Sequence, residues 1–184
     1  MGVSLIQSNA GGFGAGIAEL STGIFLHNRG IAFSLVPGHP AEYGPRRRPP
    51  HTLSPALITT IPDDRLEMAI GTMGGDSQPQ ILLQLLARLL KSGEGAGAAI
   101  GAPRWALQDT DGAGGFSTWE GRGRVEVCLE PGSPDAWLHG LRMRGHPTTV
   151  TAGNYGHAHV IVCHGDHLEG ASDPRSLAGN AAGY

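Results

Sequence analysis

The stretch from Arg65 to Leu90 constrains the fold more tightly than any other part of the chain. A β-prone run, Arg65 to Thr72, is followed by Met73-Gly74-Gly75-Asp76 and then by a helical pattern. Ile81, Leu82, Leu85, Leu86, Leu89 and Leu90 recur at helical spacing, and the broad apolar face they make needs another layer to cover it. Adjacent glycines where a strand hands over to a helix let consecutive backbone N–H groups point into one concavity. The helix dipole adds positive potential there. Such a site suits a phosphate, a carboxylate or a developing oxyanion. Asp76 is suited to cap the helix and Pro79 to its first turn. No Gly-Lys-Ser/Thr follows, so this is not a P-loop. By spacing alone a plain tight turn explains the two glycines equally well.

Around this unit the spacing predicts a short strand over Val3–Ser8 and another over Gly23–Leu26. Residues 36–50, with Pro37, Pro40, Pro45, Pro49 and Pro50, read as a long irregular loop. Leu53–Thr60 pairs with Arg65–Thr72, and Pro55 puts an edge or a bulge in the first of these. A short helix is expected over Ala96–Ala102, a strand over Arg124–Leu129, and a helix over Pro134–Arg144 with Gly145 as its C-cap. His157–Cys163 and His167–Ala171 close the order as a strand pair. Strands and helices in this succession indicate a layered α+β sandwich. The chain carries 30 Gly and 13 Pro in 184 residues. Because the glycines sit between apolar runs without a collagen period, they mark turns in a globular protein. The length suits one domain over 1–184.

Sixteen acidic against 13 basic residues leave a net charge of −3, which excludes the basic face of a general nucleic-acid binder. Arg46-Arg47-Arg48 is read as pairing along its loop. No run reaches the roughly 18 apolar residues of a membrane span; Ile81–Leu90 is interrupted by Gln84 and Arg88. Met1 leads into Val3 without a charged leader region. Cys128 and Cys163 allow at most one disulfide and read as buried, inert thiols. They point towards a reducing, cytoplasmic setting, with secretion or the periplasm open if a leader lies upstream. His157, His159, His164 and His167 lack the cysteine partners of a zinc finger and read as a polar sheet edge. Neither a metal nor a cofactor is expected.

Gly71-Thr-Met-Gly-Gly-Asp-Ser-Gln-Pro-Gln80 resembles the signature of the γ-glutamyltransferase (γ-glutamyl transpeptidase) family. So do Gly23-Ile-Phe-Leu-His-Asn28, Pro37-Gly-His-Pro40, Arg48-Pro-Pro-His-Thr-Leu-Ser-Pro55, Ala102-Pro-Arg-Trp105 and Gly170-Ala-Ser-Asp-Pro-Arg-Ser176. The blocks follow the family order, and they cover its small, C-terminal subunit. The resemblance implies the αββα four-layer sandwich of the N-terminal-nucleophile hydrolases, here incomplete. It also implies a large N-terminal subunit cut from the same precursor. In that family a threonine freed by self-cleavage attacks a γ-glutamyl amide with its own amine as base, and the acyl-enzyme passes to water or an amino acid.

Residue by residue, the resemblance makes Gly74 and Gly75 the oxyanion hole and Ser8 the second hydroxyl beside the nucleophile. The nucleophilic threonine falls upstream of Val3, so this chain alone is expected to be inactive. The acidic residue that holds the substrate ammonium falls at Ala32, and the position three residues earlier is Arg29. The family asparagine falls at Ala10, with Asn9 beside it. The serine pair for the α-carboxylate is His51-Thr52. Exchanging a carboxylate for an arginine fork turns an ammonium site into a carboxylate site, which points to acyl groups such as glutaryl and to the glutaryl and cephalosporin acylase branch. Asp173-Pro-Arg175 reads as a structural ion pair. Two other readings remain: a non-catalytic interaction module descended from the family, and a small-anion binder built on the 74–75 amides. A sheet deprived of its nucleophile strand and its large subunit exposes apolar edges. The isolated chain is therefore expected to oligomerise, and a monodisperse monomer in light scattering contradicts this.

Overall fold

The structure, a computed structural model, describes residues 1–109, 124–153 and 155–183. Its elements run β1 (Ala56–Thr59), β2 (Leu66–Thr72), α1 (Gln78–Leu86), α2 (Ala96–Gly101), β3 (Trp105–Asp109), β4 (Val125–Leu129), α3 (Asp135–Met143), β5 (Thr148–Val150), β6 (Ala158–His164) and β7 (His167–Ser172). The mixture of sheets and helices is the α+β class that the sequence order indicates. Two compact units are distinguished, one made of Met1–Ile6 with Ser54 onward, the other of Gln7–Leu53.

The larger unit is organised by an antiparallel sheet in the order β1-β2-β6-β7. Alternation along β2 sends Met68, Ile70 and Thr72 to one face, where they stand opposite Val162, Val160 and Ala158 of β6. Against this face pack Ile81, Leu82 and Leu85 of α1 with Ala96 and Ile100 of α2. Each fully buried Leu or Ile contributes roughly 1.5–3 kcal/mol, so this layer pairing holds the unit together. On the opposite face, a Cβ added at Gly71 would touch Ile6 and Ser4 at 3.6 Å. Residues 1–6 alternate in burial, but they join no ladder. The strand expected over Val3–Ser8 is thus a strap tied to β2 by the Ser4 hydroxyl, which donates to the Ile70 carbonyl at 3.0 Å.

The helix expected to run to Leu90 changes character at Ala87. Residues Ala87–Lys91 form a π-type turn, and Gly93, with φ +65°, ends it. α3 ends as expected: Gly145 has φ +82°, and the amides of Gly145 and His146 return to the carbonyls of Arg142 and Leu141 at 2.9 and 3.1 Å. Two strands escaped the sequence reading. β3 pairs antiparallel with β4, and β5 pairs parallel with β4, making a second sheet in the order β3-β4-β5.

The outer edge of β3 is paired by side chains of α1. Gln84 accepts from the Trp105 amide at 3.0 Å and donates to its carbonyl at 2.8 Å. Gln80 accepts from the Leu107 amide at 2.7 Å and donates to its carbonyl at 3.5 Å. Four residues of helix rise about 6 Å, and two residues of strand span about 6.6 Å. Glutamines at i and i+4 therefore match alternate rungs of a strand edge.

A buried ionic network ties the two ends of this unit. Arg104 and Asp173 are both essentially inaccessible and meet at 2.7 Å. Arg175 bridges Asp173 at 3.1 Å and both oxygens of Glu130. Two cations and two anions leave no net charge in the interior, which buried ions require. Most of the remaining donors go to backbone, while Arg104 Nε is left without a partner among the described residues. Arg104 donates to the carbonyls of Tyr155 and Ile100 at 2.7 and 2.8 Å, and Arg175 donates to those of Ile100 and Ala102. Burial works to raise the Asp173 carboxyl. The amides of Ala158 and Arg175 and the charge of Arg104 more than offset it, so Asp173 lies below the usual carboxylate range. Asp173 and Arg175 thus form the structural ion pair expected from sequence.

In the unit Gln7–Leu53 the chain is held by turns and isolated bridges. The strand expected over Gly23–Leu26 is reduced to a single antiparallel bridge between Ala18 and Phe25. Glycines 11, 12, 14 and 16 bend the backbone ahead of it too often for a ladder to grow. Phe33 meets Tyr43 edge-on at 5.4 Å, and Arg47 donates to the carbonyls of Glu42 and Pro40 at 2.9 and 3.0 Å. Arg47 thus pins the proline-rich loop from within, the role expected of the run.

Two outcomes are expected. Gln84→Ala strips one rung of β3 of both partners and destabilises the protein by about 1–3 kcal/mol in denaturant unfolding. Because the folded Asp173 carboxyl is lowered, its contribution is complete above the ordinary carboxylate range near pH 4 and is lost as pH falls through the folded value. Thermal unfolding followed against pH is expected to show an acid limb that Asp173→Asn flattens.

Candidate functional site

The handover from β2 to α1 is built from three consecutive conformations. Gly74 has φ +143° and Gly75 φ +56°, both in the region that favours glycine. Gly75–Ser77 then make a single 3-10 turn, closed by the Ser77 amide on the Gly74 carbonyl at 3.1 Å, before α1 begins at Gln78 with Pro79 in its first turn. Among the described residues no acceptor is paired with the Gly74 or Gly75 amide. Adjacent amides at the head of a nine-residue helix can receive an anion or a developing oxyanion. The capping role expected of Asp76 is not seen: no side chain caps this end. The 3-10 turn places Asp76 inside the turn, where Ser77 holds the cap position.

Gly74 is fixed by packing as well as by its own torsion. A Cβ on it would lie 3.0 Å from Ile81 Cδ1 and 3.6 Å from the Cα of Gly156. Gly156, with φ +75°, is tighter still: its added Cβ would lie 2.4 Å from Thr72 Oγ1 and 2.7 Å from the Met73 carbonyl oxygen. Sequence reasoning missed Gly156. The signal was only one more glycine before a strand, and its value depends on the contact across the sheet. Gln78 was missed too. It is buried, and its side-chain oxygen accepts from the Ser54 amide at 3.0 Å.

The other candidate residues lie in the unit Gln7–Leu53. There Ser8, Asn9 and Arg29 come together: Arg29 donates to the Ser8 carbonyl at 3.2 Å, and the Asn28 amide donates to the Asn9 carbonyl at 3.1 Å. The Ser8 hydroxyl accepts from the Ala10 amide at 3.1 Å, and Asn9 Oδ1 accepts from Gln7 at 3.2 Å. Arg29 opens the 3-10 turn Arg29–Ala32 that Ala32 closes, and both side chains are buried. One terminal nitrogen of Arg29 is thus committed to backbone. His51 is exposed and Thr52 half-buried at the end of this unit.

Other histidines serve the β6–β7 hairpin. His164 and His167 stack at 4.8 Å, His164 reaches Glu169 at 3.0 Å, and His159 reaches Ser172 at 3.0 Å. Among the described residues no group of three or more His, Cys, Asp or Glu is arranged to hold a metal. No helix of the described residues is long and apolar enough to cross a membrane. Cys128 is buried and burial pushes its thiol up, whereas Cys163 is only half-buried; both are free.

A family model described as gamma-glutamyltranspeptidase matches residues 1–184. The chain is 41% identical to the oxamate amidohydrolase proenzyme of Klebsiella pneumoniae, over all of this chain and 33% of that protein. It is 35% identical to a glutathione hydrolase-like proenzyme of Bacillus subtilis, over 94% of this chain and 32% of the relative. The chain therefore spans about a third of the length of these curated relatives. Among solved structures, cephalosporin acylase from Bacillus halodurans superposes with a TM-score of 0.79 at 32% identity, covering 93% of this chain and 30% of that one. Gamma-glutamyltranspeptidase from Pseudomonas nitroreducens superposes with a TM-score of 0.78 at 21% identity, covering 99% and 93%, which shows a shared fold.

Proposed function

Since the chain belongs to the gamma-glutamyltranspeptidase family of amide-cleaving N-terminal-nucleophile enzymes, we propose that it forms the oxyanion-binding part of such an enzyme and that the acyl group cleaved carries a carboxylate without an α-amine. The unpaired amides of Gly74 and Gly75 carry the first half of this reading. A threonine supplied upstream of Met1 attacks the amide carbonyl, and its hydroxyl proton passes to the threonine's own amine. The carbonyl oxygen takes up negative charge and is met by the two amides. As the tetrahedral centre collapses, the C–N bond breaks and the departing amine takes the proton. An ester to threonine is left, which water or an acceptor amine then opens. Removing one such amide donor costs on the order of a hundredfold or more in rate.

The substrate half rests on the turn Arg29–Ala32. A buried alanine stands where the family pattern has an acid, so that position offers a substrate ammonium no partner, and a buried guanidinium sits three residues away. In this reading the guanidinium nitrogens of Arg29 that Ser8 does not hold meet the carboxylate, and Asn9, His51 and Thr52 are the other polar candidates. Oxamate, the compound in the name of the 41% identical relative, has a carboxylate next to its amide and no amine, which agrees with this reading.

The reading predicts that the complete enzyme hydrolyses oxamate or glutaryl anilide faster than γ-glutamyl anilide. Arg29→Gln is expected to lower kcat/KM for the preferred acid by about tenfold or more, the worth of one charge-assisted hydrogen bond. Aniline release and ammonia release measure both; a strong γ-glutamyl preference overturns it.

A further inference from the structure

We infer that the buried Arg104–Asp173–Arg175–Glu130 network and Gly156 act as positioning residues for the Gly74–Gly75 turn, holding its amides at the angle the reaction needs. This rests on the oxyanion reading given above and adds to it a device that aims the donors.

The network grips one short segment from both sides. Before Gly156, the Tyr155 amide donates to Glu130 Oε1 at 2.7 Å, and the Tyr155 carbonyl accepts from Arg104 at 2.7 Å. After it, the Ala158 amide donates to Asp173 Oδ2 at 2.8 Å. Residues 155 and 158 are thus fixed by charged partners that are themselves buried and mutually paired. Charge-assisted bonds of this kind are shorter and stronger than neutral ones, so the segment between them has little freedom.

Gly156 is the point of that segment that meets the candidate site. Its Cα lies against Gly74, and the space where a side chain would begin is taken by Thr72 Oγ1, the Met73 carbonyl and Ile81 Cδ1. Thr72 in turn donates its hydroxyl to the Met73 carbonyl at 2.6 Å, and Ala158 is paired with Thr72 across the sheet. The peptide that leads into Gly74 therefore rests on the Gly156 backbone with no side chain between them to adjust. A shift of 155–158 is transmitted to Met73 and so to the direction of the Gly74 and Gly75 amides. An oxyanion donor loses its effect when it is misaimed, because it must meet the oxygen at hydrogen-bond distance in the transition state.

The test compares three variants of the complete enzyme on whichever of oxamate, glutaryl anilide and γ-glutamyl anilide it turns over. Gly156→Ala and Arg104→Lys are expected to lower kcat by about tenfold or more, as partial loss of an oxyanion donor should, while KM stays within about threefold. Arg104→Lys keeps the charge but loses the planar fork whose two terminal nitrogens reach Tyr155, Ile100 and Asp173. Gly74→Ala, which strikes the turn itself, is the reference and should lose at least as much. Thermal unfolding identifies the folded variants, and if Gly156→Ala does not fold, Arg104→Lys decides. If Gly74→Ala slows kcat but a folded positioning variant keeps the wild-type kcat, or loses activity only through KM, the positioning proposal is overturned alone. If Gly74→Ala also keeps the wild-type kcat, the oxyanion reading is overturned and this proposal with it.

Discussion

The pairing of Arg104 with Asp173, closed by Arg175 and Glu130, is the interaction on which the larger unit depends. Four ionised groups in the interior are costly to desolvate, and mutual pairing with additional hydrogen bonds offsets that cost. Here the offset comes partly from backbone: the carbonyls of Ile100, Ala102 and Tyr155 and the amides of Arg104, Tyr155, Ala158 and Arg175 all end on this cluster. Those peptides belong to the end of α2, the entry to β3, the entry to β6 and the exit from β7. Segments far apart in sequence are therefore tied at one point, and the sheet β1-β2-β6-β7 is held in register with the helices that cover it.

The hydrophobic layer and the ionic cluster divide the work. Packing of Ile81, Leu82 and Leu85 on Met68, Ile70 and Val160 is non-directional and tolerates small slides. The cluster is directional and does not. A candidate oxyanion site needs the second property, since two amides must converge on one oxygen. The turn at Gly74–Gly75 sits where the layers supply burial and the cluster supplies aim.

Much of this was legible in the sequence, and for identifiable reasons. α1 showed in its apolar periodicity and α3 in Gly145 at its C-cap, and the β1–β2 and β6–β7 pairs read as strand pairs. Asp173 and Arg175 stood out because charged residues flank a proline inside a motif. β3 and β5 were hidden: β3 is a short run after Pro103 whose edge partners are helical glutamines, and β5 is three residues long. Val3–Ser8 kept its alternation but formed no ladder, since burial on a sheet face and pairing in a sheet leave the same pattern. Gly74 and Gly75 were visible as a turn, whereas Gly156 was not, because its importance lies in what it touches across the fold. Arg29 could be singled out only against the family pattern; nothing in its local spacing distinguishes it.

The glutamine pair on α1 covers one edge of the smaller sheet. With Gln80 and Gln84 standing in for a neighbouring strand, β3 has no rungs left to offer at Trp105 and Leu107. A strand added to this sheet cannot use those two rungs while the glutamines hold them. Two amide side chains of a helix thus do for this edge what a neighbouring strand would, and replacing them would expose its backbone groups.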